Sequence, residues 1–187
     1  TIIQSPAGIT ADVRSMIQQT RMAIASVVNA GLTLLYWRIG KRISTEVLGN
    51  ERAEYGKEIV AALGRQLADE FGPGFGEKNL RRMVQFAEVF PDLQIVHALS
   101  AQLGWTHFKA IIPLKDDLQR DFYAEMCRIE RWSTRTLAKK IDSMLYERTA
   151  ISRKPEEVAK AELAALREED KLTPALIFRD PYILDFL

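Results

Sequence analysis

The stretches FGEKNLRR at residues 75–82 and WSTRTLAKK at residues 132–140 share one pattern: an aromatic residue, then a small residue, and a leucine five positions after the aromatic. Glycine and serine both suit the N-cap of a helix. An apolar pair formed by the residue before the cap and the fourth helical residue is a hydrophobic staple, which fixes the angle at which the chain enters the helix. Both stretches carry Lys and Arg in the first turns. The pattern therefore predicts two helices with fixed starting angles and basic N-terminal turns.

A long helix is predicted before these two. Apolar and small residues recur at steps of three and four through residues 13–47, which is the spacing of one helix face. A kink near Gly31 or Gly40 is an alternative to an unbroken helix. Residues 32–37 are apolar on nearly every side, so we expect this part to pack on more than one face, as in the centre of a bundle or in a dimer interface.

Further amphipathic patterns follow along the chain, and no segment shows the strict alternation of a half-buried strand. The predicted fold is all-α: a multi-helical domain with helix-turn-helix-like units and a long N-terminal helix. The second stapled helix is expected to run to about Tyr146, with Met144 on its inward side. We expect a helical DNA-binding domain at residues 1–150, a charged and solvated connecting helix at 151–172, and at 173–187 the start of a truncated second domain.

The overall composition is that of an ordinary globular protein, with 47% hydrophobic residues and a net charge of only +1. Any surface that binds nucleic acid must therefore arise from local clustering, and residues 76–148 are mildly basic, with twelve basic and ten acidic side chains. Cys127 is the single cysteine, and the apolar residues 27–37 fall short of the roughly 18 that span a bilayer. These features predict a cytoplasmic protein that does not enter a membrane.

Basic side chains mark a candidate DNA-binding face. On the first stapled helix they recur at i, i+3, i+4 and i+7, opposite the apolar stripe, and a helix of this kind after a tight turn is what a helix-turn-helix protein inserts into the major groove. The second stapled helix offers a further contact, and His107 lies in the first turn of another helix, where a phosphate can bind. The candidate DNA-binding residues are Lys78, Asn79, Arg81, Arg82, Gln85, His107, Arg135, Lys139 and Lys140.

A second interpretation of the same residues stays open. The basic side chains can simply be solvated, in which case the domain is a helical oligomerisation or protein-interaction module whose long first helix forms a homodimer. Neither histidine has a Cys or His at a metal-ligand spacing, and the glycines at residues 72–74 lack the Gly-Lys-Ser/Thr ending of a phosphate-binding loop. No metal site and no catalytic residue are predicted.

Several short strings, taken in order, resemble the N-terminal domain of the bacterial YhcG family. They are YWRIG at 36–40, GFGEKNL at 74–80, LGWTHF at 103–108, FY at 122–123 and WSTRTL at 132–137. The ending DPYILDFL at 180–187 looks like the opening of that family's C-terminal PDDEXK nuclease domain. Where the family usually has Ser and Arg, this chain has Gly76 and Lys78, which removes a side-chain cap and one guanidinium.

The resemblance implies that this is the part of a nuclease that binds DNA or mediates assembly. A PDDEXK site needs acidic residues and a lysine on adjacent strands to hold a divalent metal. No strand is predicted to carry them, so we expect no enzymatic activity and no cofactor in this chain. A divalent metal is expected only in the missing nuclease domain, and DNA and a second copy of the chain are the expected partners.

Overall fold

The structure is a computed structural model that describes residues 7–48, 53–170 and 176. This part of the chain contains eight α-helices, three short 3-10 helices and no strand, so the predicted all-α fold is confirmed. The 3-10 helices are Pro73–Phe75, Tyr146–Arg148 and Ile151–Arg153. The α-helices are α1 (Ala7–Leu48), α2 (Ala53–Phe71), α3 (Glu77–Val89), α4 (Leu93–Ser100), α5 (Trp105–Ile111), α6 (Asp117–Glu130), α7 (Thr134–Asp142) and α8 (Glu156–Glu169).

The long helix α1 packs on the domain mainly through its second half. Its residues 8–29 are all exposed, whereas Thr33, Trp37 and Ile43 are buried. Trp37 donates a hydrogen bond from Nε1 to the backbone oxygen of Phe90 at 2.7 Å. Helix α1 runs through Gly31 and Gly40 as one assigned helix, about 63 Å long at ~1.5 Å per residue.

Gly40 marks the closest approach of α1 to α3. A Cβ atom added there would lie 1.8 Å from the backbone oxygen of Met83, which is far inside van der Waals contact. The role of this glycine is therefore to admit the backbone of α3, not to kink α1.

Two groups of buried side chains hold the helices together. The larger one runs from Trp37 to Leu176 and contains the rings of Phe86, Phe90 and Phe108, which meet in tilted and edge-to-face contacts. The smaller one joins α1, α2 and the start of α3 and contains Ile43, Val60, Leu80 and Met83.

Both stapled helix starts are confirmed. Gly76 is the N-cap of α3, and Phe75 packs in the same cluster as the buried Leu80. Ser133 is the N-cap of α7 and its hydroxyl oxygen accepts from the backbone N–H of Thr136 at 3.1 Å. Trp132 packs against the cluster that contains Leu137. The sequence therefore predicted where α3 and α7 begin and which residues fix their direction.

Helix α7 is shorter than predicted. It ends at Asp142, because Met144 adopts a left-handed conformation with φ 54° and the N–H of Leu145 turns back to the oxygen of Lys140 at 3.1 Å. This is a Schellman ending, which usually carries glycine at the left-handed position. Met144 is exposed, so its predicted inward orientation is wrong.

Helix α8 is not a solvated connector but is packed against α6. Ala159, Leu163 and Leu166 are buried. On its exposed side, Glu156 pairs with Lys160 at 2.5 Å. The predicted second domain at 173–187 lies outside the described residues, except for the buried Leu176.

A buried glutamate adds an ionic link between α6 and α8. The side chain of Glu125 is 0% exposed, and its two carboxylate oxygens accept from Nε of Arg128 at 2.8 Å and from Nε of Arg167 at 2.6 Å. Arg128 also donates to the backbone oxygen of Leu166 and to the carboxylate of Asp170. The charge of Glu125 is thus paired on both sides, as a charge removed from water requires.

Candidate nucleic-acid interface

The exposed face of α3 carries the predicted basic stripe, but it also carries two acids. Lys78, Arg81 and Gln85 are exposed and Arg82 is half-buried. Glu77 and Glu88 are exposed as well and lie at positions i−4 and i+7 from Arg81, on the same side of the helix. The net positive charge of this face is therefore smaller than the basic residues alone suggest.

Arg81 is already engaged in an ion pair. Its Nη2 and Nε donate to one carboxylate oxygen of Glu77 at 2.6 and 2.9 Å, with both side chains 45% exposed. Exposed ion pairs of this kind contribute about 0–1 kcal/mol to stability, so a phosphate can replace the glutamate with little loss of free energy. No ion pair joins Lys78 or Arg82 to another described residue. Within the described ranges these two cations are thus unpaired, with Lys78 exposed and Arg82 half-buried.

Arg81 and Gln85 also face the second helix. They line a shallow groove between α2 and α3 together with Lys57 and Glu88. Side chains of both signs meet in this groove, so its electrostatics are mixed.

Asn79 and His107 have partners within the fold. Asn79 is half-buried, and its Nδ2 points to the backbone oxygen of Pro73 at 3.5 Å. His107 Nδ1 accepts from the N–H of Gly104 at 3.2 Å, and its Nε2 lies 3.0 Å from the oxygen of Trp132, to which it donates in the matching tautomer. Gly104 is the N-cap residue of α5. With both ring nitrogens engaged, the geometry favours a structural role for His107, which ties α5 to the turn before α7.

The exposed face of α7 offers two open cations. Arg135 and Lys139 are exposed, and Asp142 shares their side of the helix. Lys140 is half-buried and its ammonium lies 5.5 Å from the ring centre of Trp132, a cation–π contact. Arg135 and Lys139 are therefore the side chains of α7 that can reach a phosphate without breaking a contact within the fold.

Helix α5 connects the two basic helices. The ring of Trp105 packs against Phe86 of α3 at 5.6 Å and against Tyr36 of α1 at 5.1 Å. The next residue, Thr106, has its hydroxyl 3.2 Å from that of Thr134, the first residue of α7. Helix α5 thus contacts the second half of α3 through Trp105 and the start of α7 through Thr106.

The turn between α6 and α7 has the length found in helix-turn-helix units. Arg131 closes α6 in a left-handed conformation with φ 51°, and Trp132 and Ser133 complete the connection. Helix-turn-helix units join their helices through three or four residues of this kind.

No metal-binding group is present in the described ranges 7–48 and 53–170: no three His, Cys, Asp or Glu side chains lie close enough together to hold an ion. Cys127 is buried, and burial raises the pKa of its thiol to about 12, so it stays protonated and unreactive at neutral pH.

Comparison with known proteins decides the family. A model of the DUF1016 N-terminal domain matches residues 12–148, from the first turns of α1 to the 3-10 helix after α7. The chain belongs to this family. It is also 27% identical over 202 residues to the Escherichia coli (strain K12) protein named "Putative nuclease YhcG". The alignment covers 92% of this chain and 53% of that protein, so the chain spans about half the length of the relative. No solved structure matches the chain.

The DUF1016 match confirms the resemblance drawn from the sequence and identifies a nuclease-related, YhcG-family N-terminal domain. Sequence reasoning found the basic residues of this domain but missed the acids beside them. The signal was present, because Glu77 stands four residues before Arg81, which is the spacing of a helical ion pair.

Proposed function

We propose that this DUF1016 N-terminal domain binds DNA through the exposed faces of α3 and α7. The observation that carries the proposal is that each helix starts after a short turn, at an angle fixed by a staple, and presents cations in its first two turns. Lys78 and Arg82 supply the contact from α3, and Arg135 and Lys139 supply the contact from α7. Of these four side chains, Arg82 is half-buried and the other three are exposed. The printed name of the Escherichia coli relative, a nuclease, supports DNA as the partner.

The contacts are expected to be mainly with phosphates. Lysine binds a phosphate as a point charge, and contacts with phosphates position a protein on the duplex without reading its sequence. Arg81 joins the contact when a phosphate replaces Glu77. Gln85 has the side chain that can read a base edge if α3 enters the major groove.

A titration with duplex DNA at several salt concentrations tests the proposal. Each phosphate neutralised contributes about −0.9 to the slope of log affinity against log salt, so Lys78→Ala with Arg82→Ala should flatten the slope by up to about 1.8. Arg81→Ala should flatten it by less, since that charge is partly used by Glu77. Lys160→Ala, which removes an exposed cation from α8, is the matched control. An unchanged slope in the double variant, with circular dichroism showing an intact fold, would remove α3 from the DNA contact.

A second candidate function, self-association, is favoured by α1. Ten large apolar side chains between Ile9 and Leu35 are at least 40% exposed. Monomeric proteins rarely leave apolar patches of this extent uncovered. We infer that the domain forms a homodimer through α1, which is compatible with DNA binding. Light scattering at tens of micromolar should give twice the chain mass, and a monomer would remove this second function.

A membrane is the competing explanation for the apolar helix. Within the described residues, α1 is the one helix long and apolar enough to cross a bilayer by length and composition. Its second half buries Thr33, Trp37 and Ile43 against its own domain, so the part of α1 that remains open to another partner is the exposed stretch of residues 8–29. The predicted cytoplasmic location stays a prediction.

A further inference from the structure

Helix α1 has two faces that serve different neighbours. The residues that meet its own domain include Ser26, Thr33, Trp37 and Gly40, and their steps of seven, four and three place them on one side of the helix. The exposed apolar stripe includes Val13, Ile17, Ile24, Val27 and Leu35. At 100° per residue it is centred about 160° away from the domain side. The described part of the domain therefore cannot cover this stripe.

The stripe repeats with a period of seven residues. From Val13 to Gly31 the steps are strictly four and three, through Ile17, Thr20, Ile24 and Val27, and all of these residues are exposed. A straight helix has 3.6 residues per turn, so a strict seven-residue repeat matches a partner helix that winds around it in a left-handed coil. A lipid surface or a flat protein surface does not impose this period.

We propose that a second copy of this chain covers the stripe, with the two α1 helices parallel and in register. The proposal rests on the self-association inferred above and specifies its geometry. The stripe is about 42 Å long over residues 8–35 and about 10 Å wide, which is at the small end of specific interfaces. The dimer is accordingly expected to form at micromolar concentrations.

The charged residues favour the parallel arrangement. The exposed half of α1 carries only Asp12, Arg14 and Arg21. Both arginines occupy the position that follows a seam residue, after Val13 and Thr20. In a parallel pair, each position that follows a seam residue faces, on the partner helix, a position that precedes a seam residue. Here Ile9 and Met16 occupy those facing positions, so no two arginines meet. In an antiparallel pair whose midpoint lies between residues 15 and 22, arginines of the two chains lie side by side. The repulsion between their like charges makes this arrangement unfavourable.

Thr20 favours the same register. It is the one polar side chain in the seam between Val13 and Val27. In register, Thr20 faces its own copy and the two hydroxyls can share a hydrogen bond. A shift by one heptad would bury each hydroxyl against valine, which is costly without a partner.

The arrangement has a consequence for the DNA contact. Since each domain packs on the side of α1 away from the seam, two parallel helices place both domains at one end of the pair without collision. Two copies of the basic surfaces are then held near one another, as in dimeric helix-turn-helix proteins that bind paired half-sites.

Disulfide trapping tests the geometry, and the chain is suited to it because its own Cys127 is buried. Val13→Cys and Val27→Cys place single thiols near the two ends of the seam, at exposed positions (47% and 73%) that leave the fold intact. Gln18→Cys, on the opposite side of α1, is the matched control. Parallel pairing in register brings each seam thiol next to its own copy, at a distance a disulfide can bridge.

The expected result is that each seam variant alone forms a disulfide dimer under mild oxidation, about tenfold or more above Gln18→Cys, because pairing raises the local thiol concentration to the millimolar range. If only a mixture of the two seam variants cross-links, the helices are antiparallel and the proposal is wrong. If light scattering shows a dimer but no variant or mixture cross-links, the second copy binds elsewhere, and the geometry fails while self-association stands. A monomer in light scattering overturns both.

Discussion

Removing the charge of Glu125 should loosen the contact between α6 and α8. Glu125→Gln keeps the size of the side chain but leaves Arg128 and Arg167 without the carboxylate that accepts from both at 2.8 and 2.6 Å. Breaking a buried ion pair by changing one partner costs about 3–5 kcal/mol. Arg128 keeps Leu166 and Asp170 as partners, and Arg167 is 24% exposed and can reach water. The loss should therefore lie near the lower value, about 3 kcal/mol.

Thermal unfolding followed by circular dichroism measures this loss. For a domain of this size 1 kcal/mol corresponds to about 2–4 °C, so the midpoint should fall by about 6–12 °C. Limited proteolysis should also cut between Thr149 and Asp170 faster than in the native protein. Glu130→Gln, at the exposed end of the same helix, is the matched control and should change the midpoint by no more than about 1–2 °C. A Glu125→Gln variant as stable as that control would refute the argument that this buried pair docks α8.

Three further predictions concern helix packing, pH and catalysis. Gly40→Ala should destabilise the fold by about 1–3 kcal/mol or more, because its Cβ would lie 1.8 Å from the backbone oxygen of Met83. Gly31→Ala is the control and should not destabilise the fold, since the space around Gly31 is open. Denaturant unfolding of the two variants compares their free energies of unfolding. Burial raises the pKa of Asp121, only partly offset by Arg167, so its charged form is unfavourable in the folded state. Asp121→Asn should therefore raise the unfolding midpoint at pH 7, and this gain should vanish at acidic pH, where the native carboxyl is protonated; equal midpoints at pH 7 would contradict this. The purified chain should not cut plasmid DNA with Mg²⁺ or Mn²⁺, and cleavage that persists through repurification would disprove this.

The helix starts could be predicted because their signals are local. The aromatic, cap and leucine positions around Gly76 and Ser133 lie within six residues of one another, and such short-range rules depend little on the rest of the fold. The end of α7 could not be predicted, because the left-handed turn falls on Met144, and methionine carries no signal for that conformation.

The burial of α8 and the pairing of Glu125 depend on contacts between distant segments. Ala159, Leu163 and Leu166 do follow a helical spacing, but the many charges around them favour a solvated interpretation. Glu125 has a local partner in Arg128, three residues further on, but its second partner Arg167 lies 42 residues away and could not be read from the local sequence. For the candidate interface, the basic residues could be read from the sequence, whereas the contacts of α5 with both basic helices required the structure.

The salt dependence of duplex binding by the native chain tests the central claim most directly. With Lys78, Arg82, Arg135 and Lys139 each neutralising one phosphate, log affinity should fall against log salt with a slope of about −3.6 per chain. The Lys78→Ala, Arg82→Ala pair and the Arg135→Ala, Lys139→Ala pair should each remove about half of that slope. No measurable binding at low salt, or binding whose affinity does not change with salt, would contradict the account and leave the domain as an assembly module.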